Sequence, residues 1–318
     1  MILINRSETD PYFNIAAEEY VLKNYEEDVF MLWINEPSVI IGKHQVATAE
    51  ANILFTHLND IPVVRRISGG GTVYHDEGNL NYSLISTGKE GTLVDYEKYA
   101  GTVIRALASL GINSYLENKS SLFTQGMKFS GNAEHVFKNR VLHHGTLLFR
   151  TNMDRLRQCI RPGHDGYNDR SVKSVDSNTI NLSSLLPDEV GMEEFRIRLI
   201  RQVREDFPEI RDHGFNTCHR DEIKKLAEHK YLSDEWNFGY SPKYAFSKTA
   251  IIDKRQIAIE LSTDKGRIID IKIHDKGEAI YSDLTNKLIG KLHHPATIQQ
   301  ELNKINFAWQ DELLAGLF

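Results

Sequence analysis

Cysteine, proline and long apolar runs are scarce in this chain. Its 318 residues include two cysteines and eight prolines. Cys159 and Cys218 can supply neither a disulfide framework nor a cysteine-rich metal site, which predicts a reducing cytosolic (cytoplasmic) environment. The opening residues Met1 to Ile4 are too short for a signal peptide, and no apolar stretch is long enough to span a membrane. We therefore expect no membrane partner.

The chain also lacks an excess of positive charge. The net charge is −6 with a sequence pI near 6.1, and no long Lys/Arg run occurs. Because binding of nucleic acid requires a clustered positive surface, no nucleic-acid partner is expected. The nucleotide-binding motifs G-x-G-x-x-G and G-x-x-x-x-G-K-[ST] are absent as well. With 41% hydrophobic and 26% charged residues, the chain has the composition of a globular protein and the length of one large and one small domain.

The most informative feature that is present is a glycine block beside basic residues. Residues 65–76 read R-R-I-S-G-G-G-T-V-Y-H-D and follow the β-branched pair Val63 and Val64. Glycines after a strand let backbone approach a ligand and expose N–H groups to an anion, although a plain turn or bulge has the same signature. Further along, residues 128–133 read K-F-S-G-N-A. Since arginine and lysine bind phosphate and carboxylate, the two segments together predict a site for an anionic, activated small molecule.

With these segments the chain resembles the lipoate–protein ligase A family of the bacterial type, which acts on free lipoate. The resemblance extends over nearly the whole chain, in that family's order. It includes N-I-A-A-E-E-Y from Asn14, P-S-V-I-I-G-K-H-Q from Pro37, the glycine block through Ser83, K-F-S-G-N-A from Lys128, H-H-G-T-L-L-F from His143 and W-N-F-G-Y-S-P from Trp236. The last segment is similar to the family's junction with a small accessory domain. The resemblance thus implies a catalytic domain over residues 1–240 and a C-terminal accessory domain over 241–318.

Hydrophobic periodicity predicts an α+β fold, because strands and helices do not alternate as in a doubly wound parallel sheet. The resemblance implies mixed β-sheets flanked by helices, as in biotin–protein ligases, plus a small α+β C-terminal domain. Helices are predicted from Asp10-Pro11 through 22 (amphipathic) and over 96–110, 154–160, 193–204, 221–230, 282–292 and 297–305. Strands are predicted over 30–33, 39–41, 80–85, 112–115, 122–123 and 141–149, with a three-stranded meander over 250–253, 256–262 and 267–274.

The resemblance implies that lipoate is activated by ATP to lipoyl-AMP, with release of pyrophosphate and with Mg²⁺ carried mainly by ATP. The lipoyl group then passes to a lysine of an acceptor protein, either a lipoyl domain or a glycine-cleavage-H-like protein. Lys128 is the implied catalytic cation; an exposed lysine at a strand end is the alternative. The implied contacts of ATP and lipoyl-AMP are Arg66, Gly71, Thr72, Val73, Tyr74, Asn79, Lys128 and Asn132. The implied contacts of lipoate are Ser68, Gly69, Gly70, Gly71, His75, His144 and Gly145.

Several of these positions have alternative interpretations. Arg65 could be a solvated charge at a strand edge. Adjacent residues on a strand face opposite sides, so we expect His75 to line the pocket and Asp76 to support the loop. Amide and imidazole groups at Asn79, Asn132 and His144 could bind phosphate or ribose, or could be buried structural groups. The pairs His143-His144 and His293-His294 have no Cys or carboxylate at ligand spacing, so no dedicated metal site is expected.

Two segments depart from the family pattern. Residues 118–122 read N-K-S-S-L where G-R-N-D-L is common, which removes a carboxylate that could bind magnesium. Residues 161–177 match a mobile loop that covers the adenylate, but from Lys173 the chain reads K-S-V-D-S-N in place of K-S-V-R-S-R. We hypothesise that these changes mark a ligase with a narrow acceptor. The accessory domain is expected to swing between the two reaction steps.

Two other functions are compatible with parts of the sequence. A cysteine-dependent transferase that moves octanoyl or lipoyl groups between carrier proteins would use Cys159. That residue shares a helical face with Leu156 and Ile160, however, which favours a buried structural cysteine. A lipoate-binding protein without turnover is disfavoured by the intact Lys128.

Overall fold

Strands and helices follow one another irregularly in the computed structural model, which describes residues 1–88, 96–118, 120–160 and 165–318. The strands are β1 (Ile2–Asn5), β2 (Val29–Ile34), β3 (Ser38–Ile41), β4 (Val63–Arg65), β5 (Val73–His75), β6 (Asn79–Thr87), β7 (Tyr115–Glu117), β8 (Ser121–Thr124), β9 (Met127–Phe137), β10 (Arg140–Leu148), β11 (Tyr167–Asp169), β12 (Arg211–Asp212), β13 (Tyr244–Ile252), β14 (Arg255–Asp264), β15 (Arg267–Asp275) and β16 (Glu278–Ala279). The helices are α1 (Pro11–Asn24), α2 (Ala47–Glu50), α3 (Ile53–Leu58), α4 (Tyr96–Ser109), α5 (Met153–Cys159), α6 (Met192–Asp206), α7 (Thr217–Leu226), α8 (Ser282–Leu288), α9 (Pro295–Lys304) and α10 (Gln310–Gly316).

The strands form three sheets. The largest has the order β12-β1-β2-β6-β10-β9-β8-β7, and the smallest has the order β4-β3-β5. The third sheet, β11-β13-β14-β15-β16, is antiparallel throughout. Parallel pairs occur where β1 meets β2 and β12 and where β3 meets β4, whereas the other ladders are antiparallel. The predicted α+β fold is confirmed.

Helix α1 packs on one face of the large sheet. The Asp10 carboxylate caps it by accepting the N–H groups of Tyr12 and Phe13 at 2.8 and 3.2 Å. Every residue from Phe13 to Leu22 is buried, so the prediction of a helix is confirmed but the prediction that it is amphipathic is wrong. The reason is that α7 and a π-helical turn, Ala227–Tyr231, cover its outer side.

The other face of the large sheet is covered by α4 and α6. Buried side chains of these helices, such as Leu107 and Leu199, join Phe30 and Tyr82 of the sheet in one apolar cluster. The face under α1 has an apolar cluster of its own, which includes Met31 of the sheet and Val21 of the helix, beside buried polar side chains such as Ser83.

The smallest sheet and the C-terminal sheet share a third apolar cluster. It includes Val39 and Tyr74 from the first, Phe246 and Ile259 from the second, and Leu317 at the end of the chain. Strand β11 precedes the expected domain boundary at residue 240 yet pairs with β13, Tyr167 lying opposite Phe246. The segment before β13 is thus attached to the C-terminal sheet.

Most predicted elements are present, with shifted ends. The meander after residue 240 is confirmed as β13 to β15. The strand expected over 112–115 is wrong except at its last residue, because Gly111 ends α4 with a φ of +80° and the Ile112 N–H returns to the Leu107 carbonyl at 2.9 Å. The helix expected over 282–292 ends at Leu288. Among the described residues, no helix has the length and apolar character needed to cross a membrane.

Candidate active site

A cavity of about 530 Å³ lies between the smallest sheet and the strands β9 and β10. One end is buried and mostly apolar, and its walls include Ile15, Trp33 and Ile40, each no more than 2% exposed. The other end is polar and open, and its walls include Lys128 and Ser174. Such a cavity suits an amphipathic ligand whose charged group stays at the open end.

The glycine block forms one wall, and Arg66 organises it from behind. The buried guanidinium donates from Nη2 to the carbonyl oxygens of Gly69 and Gly71 at 2.6 and 2.7 Å. It also donates from Nη1 to Ile40 at 3.0 Å and from Nε to Ser68 Oγ at 2.9 Å. Burial lowers the pKa of Arg66 to about 10, so the side chain is charged at neutral pH. Arg66 thereby fixes the backbone of the loop.

A buried hydrogen-bond network links this loop to the next strands. The Glu18 carboxylate contacts His144 Nδ1 at 2.9 and 3.0 Å, and His144 Nε2 lies 2.6 Å from Ser68 Oγ. Ser83 donates to the same carboxylate at 2.6 Å and accepts the indole N–H of Trp33 at 2.9 Å. The network therefore fixes two side chains of the cavity wall, His144 and Trp33.

A second network lies behind Asn132. Glu134 contacts His143 Nδ1 at 2.9 Å, and the Tyr82 hydroxyl, 3.4 Å from His143 Nε2, donates a short hydrogen bond to Asn132 Oδ1. A Cβ added to Gly145 would lie 2.1 Å from that Asn132 oxygen, so the glycine leaves room for the amide. The two adjacent histidines thus face opposite sides of the sheet, each beside a carboxylate that comes from elsewhere in the chain.

Lys128 occupies the polar end, on β9. The side chain is half-buried, and burial lowers the pKa of its ammonium. In the described part of the chain, no carboxylate forms an ion pair with it and no acceptor forms a hydrogen bond with it. Its backbone is held on one side by residues 178–180, through Asn178 and Ile180 at 2.8 and 3.0 Å. The backbone of Lys128 is therefore fixed, and its ammonium is available to an anionic ligand.

Residues 172–177 cover the cavity beside Lys128. The Ser174 hydroxyl donates a short hydrogen bond to the buried carboxylate of Glu50 and accepts the Thr72 N–H at 2.9 Å. Lys173, which lines the cavity, forms an ion pair with Asp169. This segment is therefore fastened to the glycine block. The first residues of the predicted covering loop, 161–164, lie outside the described residues.

Comparison with known proteins decides the family. The model of the lipoyl protein ligase A/B catalytic domain matches residues 10–204. Lipoate–protein ligase 1 of Staphylococcus aureus is 34% identical over 304 residues, which is 94% of this chain and 92% of that protein. The chain belongs to the lipoate–protein ligase family. The ligase LplJ of Bacillus subtilis is 33% identical over 312 residues, covering 96% of this chain and 94% of that one.

Solved ligase structures have the same fold. The P. falciparum LipL1 structure in complex with lipoate has a TM-score of 0.65 at 21% identity and covers 99% of this chain and 98% of that one. A lipoate-protein ligase A bound with ATP has a TM-score of 0.65 at 23% identity and covers 75% of this chain and 98% of that one. At 21% and 23% identity, the similarity to these two structures is evidence for a shared fold.

Most residues implied by the family resemblance lie together around the cavity. Its lining includes Arg66, Gly70, Gly71, Thr72, Val73, His75, Lys128, Asn132, His144 and Gly145. Their roles in this lipoate–protein ligase remain predictions.

Four implied residues do not line the cavity. Ser68 is buried and the carbonyl of the half-buried Gly69 faces Arg66, so both are partners of the guanidinium. Tyr74 alternates with its neighbours on β5 and points into the apolar cluster that contains Cys159. Asn79 is buried and donates to Asn81 Oδ1 at 2.8 Å, and it is Asn81 that lines the cavity. Nothing in the cavity supports a ligand contact by these four side chains.

The cavity lining also includes residues that were not among the predicted ligand contacts. Trp33, Asn81, Thr146, Lys173 and Ser174 line the cavity. Strand alternation could have found Thr146, which lies on the same side of β10 as the predicted His144. Lys173 and Ser174 belong to the segment that the family resemblance already placed over the adenylate, whereas Trp33 and Asn81 gave no local signal.

The expectation for Arg65 is wrong. Its side chain is fully buried and donates to carbonyl oxygens of Gly42, Lys43 and Gln45 at 2.7 to 3.0 Å. On the other side it donates to Asn237 at 2.7 Å. Tertiary partners far along the chain, invisible to local patterns, bury this charge.

The remaining expectations concern loop support, cysteine and metal. Asp76 accepts the N–H groups of Gly78 and Asn152 at 3.0 and 2.8 Å, which confirms its role as loop support. Cys159 is fully buried, as predicted, and burial raises its pKa to about 11. Within residues 1–88, 96–118, 120–160 and 165–318, no group of three or more His, Cys, Asp or Glu side chains is arranged to hold a metal ion.

Proposed function

We propose that this lipoate–protein ligase activates lipoate with ATP to form lipoyl-AMP and then transfers the lipoyl group to a lysine of an acceptor protein. The observation that carries the proposal is the position of Lys128. Its ammonium lies at the open end of a cavity whose other end is buried and includes the apolar side chains of Ile15, Trp33 and Ile40, and no described carboxylate neutralises it. A fatty acid placed with its chain in the buried end would bring its carboxylate to this ammonium.

In the first step, a carboxylate oxygen of lipoate attacks the α-phosphorus of ATP, and pyrophosphate leaves. Two anions must approach each other, and negative charge builds up on the phosphoryl oxygens. A fixed ammonium between them lowers that barrier, and removal of one such group typically costs a factor of about 10²–10³ in rate. Lys128 is the group in this position, and its fixed backbone supports that role.

Magnesium would enter with ATP and reduce the charge of its phosphates. Asn118, Ser120 and Ser121 line the polar end and offer neutral oxygen atoms without a carboxylate. We therefore assign the Mg²⁺ ligands to the ATP phosphates and to water.

In the second step, the amine of the acceptor lysine attacks the acyl carbonyl. A C–N bond forms, the bond to the phosphate oxygen breaks, AMP leaves, and the amine releases a proton to solvent. The exposed Val172 and Val175 lie at the open end, which supports approach of the acceptor from that side.

For the acceptor, we propose a lipoyl domain or a glycine-cleavage-H-like protein. A solved structure of a ligase from Thermoplasma acidophilum, with a TM-score of 0.65 and 22% identity, is described together with its E2 lipoyl domain. We further propose a narrow acceptor range, because Asp176 and Asn178 replace arginines common in the covering loop. The test is the rate of lipoyl transfer to both acceptor types, and equal rates would contradict the narrow range.

We also propose the division into a catalytic domain, 1–240, and an accessory domain, 241–318. The ATP-bound ligase A structure covers 75% of this chain and 98% of its own length, which supports a unit that ends near residue 240. Because β11 pairs with β13, a swing of the accessory domain would pull on the segment that covers the cavity. Free Cys159 and Cys218 support a cytosolic location.

The first experiment is lipoate-dependent exchange of labelled pyrophosphate into ATP. It needs no acceptor protein, so it isolates the first step. Lys128→Met keeps the length of the side chain and removes its charge, and we expect exchange to fall by at least about 100-fold. Lys138→Met is the matched control, since Lys138 is exposed in the β9–β10 turn, outside the cavity. Equal exchange in the two variants would contradict the role of Lys128, and no exchange in the wild type would contradict the proposed reaction.

A further inference from the structure

The buried end of the cavity contains a histidine whose tautomer is fixed by its neighbours. The chain of hydrogen bonds begins at Asn14, whose Nδ2 donates to the carbonyl oxygens of Glu8 and Ile34 at 2.9 and 3.0 Å. Since a carbonyl oxygen only accepts, these contacts orient the Asn14 amide. The same Nδ2 lies 2.8 Å from Asn35 Oδ1, which orients the Asn35 amide in turn.

Asn35 therefore presents its Nδ2 donor to His75 Nδ1, 3.0 Å away. His75 Nδ1 must accept, so the ring proton is on Nε2. Burial and the nearby Arg66 and His144 lower the pKa of His75 to about 3, so the ring is neutral at physiological pH. Nε2 is buried and has no hydrogen-bond partner within the described residues. A buried N–H without a partner is rare in proteins and requires an explanation.

The position of His75 along the cavity suggests its partner. Val73 lies beside Gly131, where a Cβ would be 3.9 Å from Val73 Cγ1 and 3.8 Å from Lys128 Nζ. His75 is on the same side of β5, about 7 Å further along the strand. Its ring lies near that of Trp33, at 5.8 Å between centroids. His75 is therefore at the end away from Lys128, where the tail of a bound acid would lie.

The charges at this end disfavour a carboxylate there. Glu18 is buried and accepts from His144, which lines the same wall. The donors of Arg66 are engaged with backbone oxygens and Ser68. The partner of His75 must then be a neutral acceptor on the tail of the ligand.

We propose that His75 Nε2–H donates a hydrogen bond to a sulfur of the dithiolane ring of lipoate, and that this contact makes the enzyme prefer lipoate to straight-chain acids such as octanoate. The inference rests on the proposed function, which puts the carboxylate at Lys128. A divalent sulfur is a weak acceptor. An alkyl tail has no hydrogen-bond acceptor, so it would exclude water from the His75 N–H without replacing the hydrogen bond.

The test compares ligands of the same shape. Lipoate and 5-cyclopentylpentanoate share a five-membered ring and chain length, but only lipoate has sulfur, and octanoate has neither ring nor sulfur. In pyrophosphate exchange, we expect the wild type to use lipoate about 3- to 10-fold better than the cyclopentyl acid in kcat/KM, the factor that one neutral hydrogen bond provides. His75→Phe should remove this preference. His75→Gln, which places an amide N–H near the position of Nε2, should restore part of it.

Equal use of lipoate and the cyclopentyl acid by the wild type would overturn the inference while leaving the proposed function intact. An unchanged preference in His75→Phe would do the same. If neither acid supports exchange, the proposed function fails, and calorimetry of the two acids decides the inference separately, because equal affinities would contradict it.

A measurement on the wild type avoids any folding defect of the variants. In protein with ¹⁵N-labelled histidine, binding of lipoate should shift the Nε2–H resonance of His75, and the cyclopentyl acid should leave that proton without a hydrogen-bond shift. The same shift with both acids would overturn the inference.

Discussion

Replacing Arg65 should destabilise the protein far more than replacing an exposed arginine. Arg65 is 0% exposed, and its guanidinium binds acceptors in two segments of the chain. One segment is the turn at 42–45, and the other is the stretch 236–241 that leads into β13. Arg65→Met would take the guanidinium away from these acceptors and remove the charge that links the two segments.

The magnitude follows from the acceptors. The guanidinium contacts six of them, namely the carbonyl oxygens of Gly42, Lys43, Gln45, Trp236 and Asn237 and the hydroxyl of Ser241. Five N–H groups are shared among six acceptors, so the individual hydrogen bonds are not additive. A buried acceptor left without a hydrogen bond costs about 1–3 kcal/mol, and because the contacts are shared and some acceptors keep a second donor, we expect a total loss of about 3–5 kcal/mol.

The assay is urea unfolding followed by tryptophan fluorescence, with Arg105→Met as the matched control. Arg105 has the same side chain on α4, but it is 55% exposed and pairs with Asp206 at 2.7 Å, so its loss should cost no more than about 1 kcal/mol. Arg65→Lys keeps the charge without the planar fork and should be intermediate. Losses for Arg65→Met and Arg105→Met that agree within about 1 kcal/mol would refute the reasoning.

Three further predictions test the site. Gly42→Ala would place a Cβ 2.1 Å from a carbonyl oxygen of the glycine block, so it should lower the free energy of unfolding by about 1–3 kcal/mol. The control is Gly214→Ala, which should change the free energy of unfolding little because a Cβ there would have no atom within 4 Å. Cys159→Ala should retain lipoate-dependent pyrophosphate exchange, because Cys159 is buried outside the cavity; loss of exchange in a folded variant would contradict a purely structural role for this cysteine. Burial lowers the pKa of Lys128, so exchange should decline with rising pH below the ordinary lysine range, and Lys128→Arg should move that decline to higher pH.

Local sequence signals predicted the elements that depend on local physics. Asp10-Pro11 marked the start of α1, Gly111 marked the end of α4, and alternation marked β13 to β15. Strand β9 escaped prediction because Gly131 and Asn132 interrupt any apolar alternation. It exists because β8 and β10 pair with it on both sides, which is a tertiary cause.

Prediction of the site was limited by tertiary contacts in the same way. The resemblance placed Lys128, Arg66 and His144 near one another, and the structure has them around one cavity. The family resemblance gave no role to Glu18, although Glu18 lies in its segment N-I-A-A-E-E-Y. Glu18, Ser68 and His144 meet only after α1 packs on the sheet, since His144 is 126 residues from Glu18 and 76 from Ser68. Contacts across such separations leave no periodic signal in one sequence.

Polar groups of the cavity that lack partners among the described residues include the ammonium of Lys128, Nε2 of His75 and Nδ2 of Asn81, and the first two bear on the choice of ligand. The ammonium of Lys128 requires an anion at the open end, and the N–H of His75 requires a neutral acceptor at the buried end. The ammonium of Lys128 and the N–H of His75 both lose solvation on burial. A ligand that forms a contact with each of them therefore gains more binding free energy than one that contacts Lys128 alone. Octanoate supplies the anion alone, whereas lipoate supplies the anion and a ring sulfur. The arrangement therefore favours lipoate through contacts at both ends of the molecule rather than through the volume of the cavity.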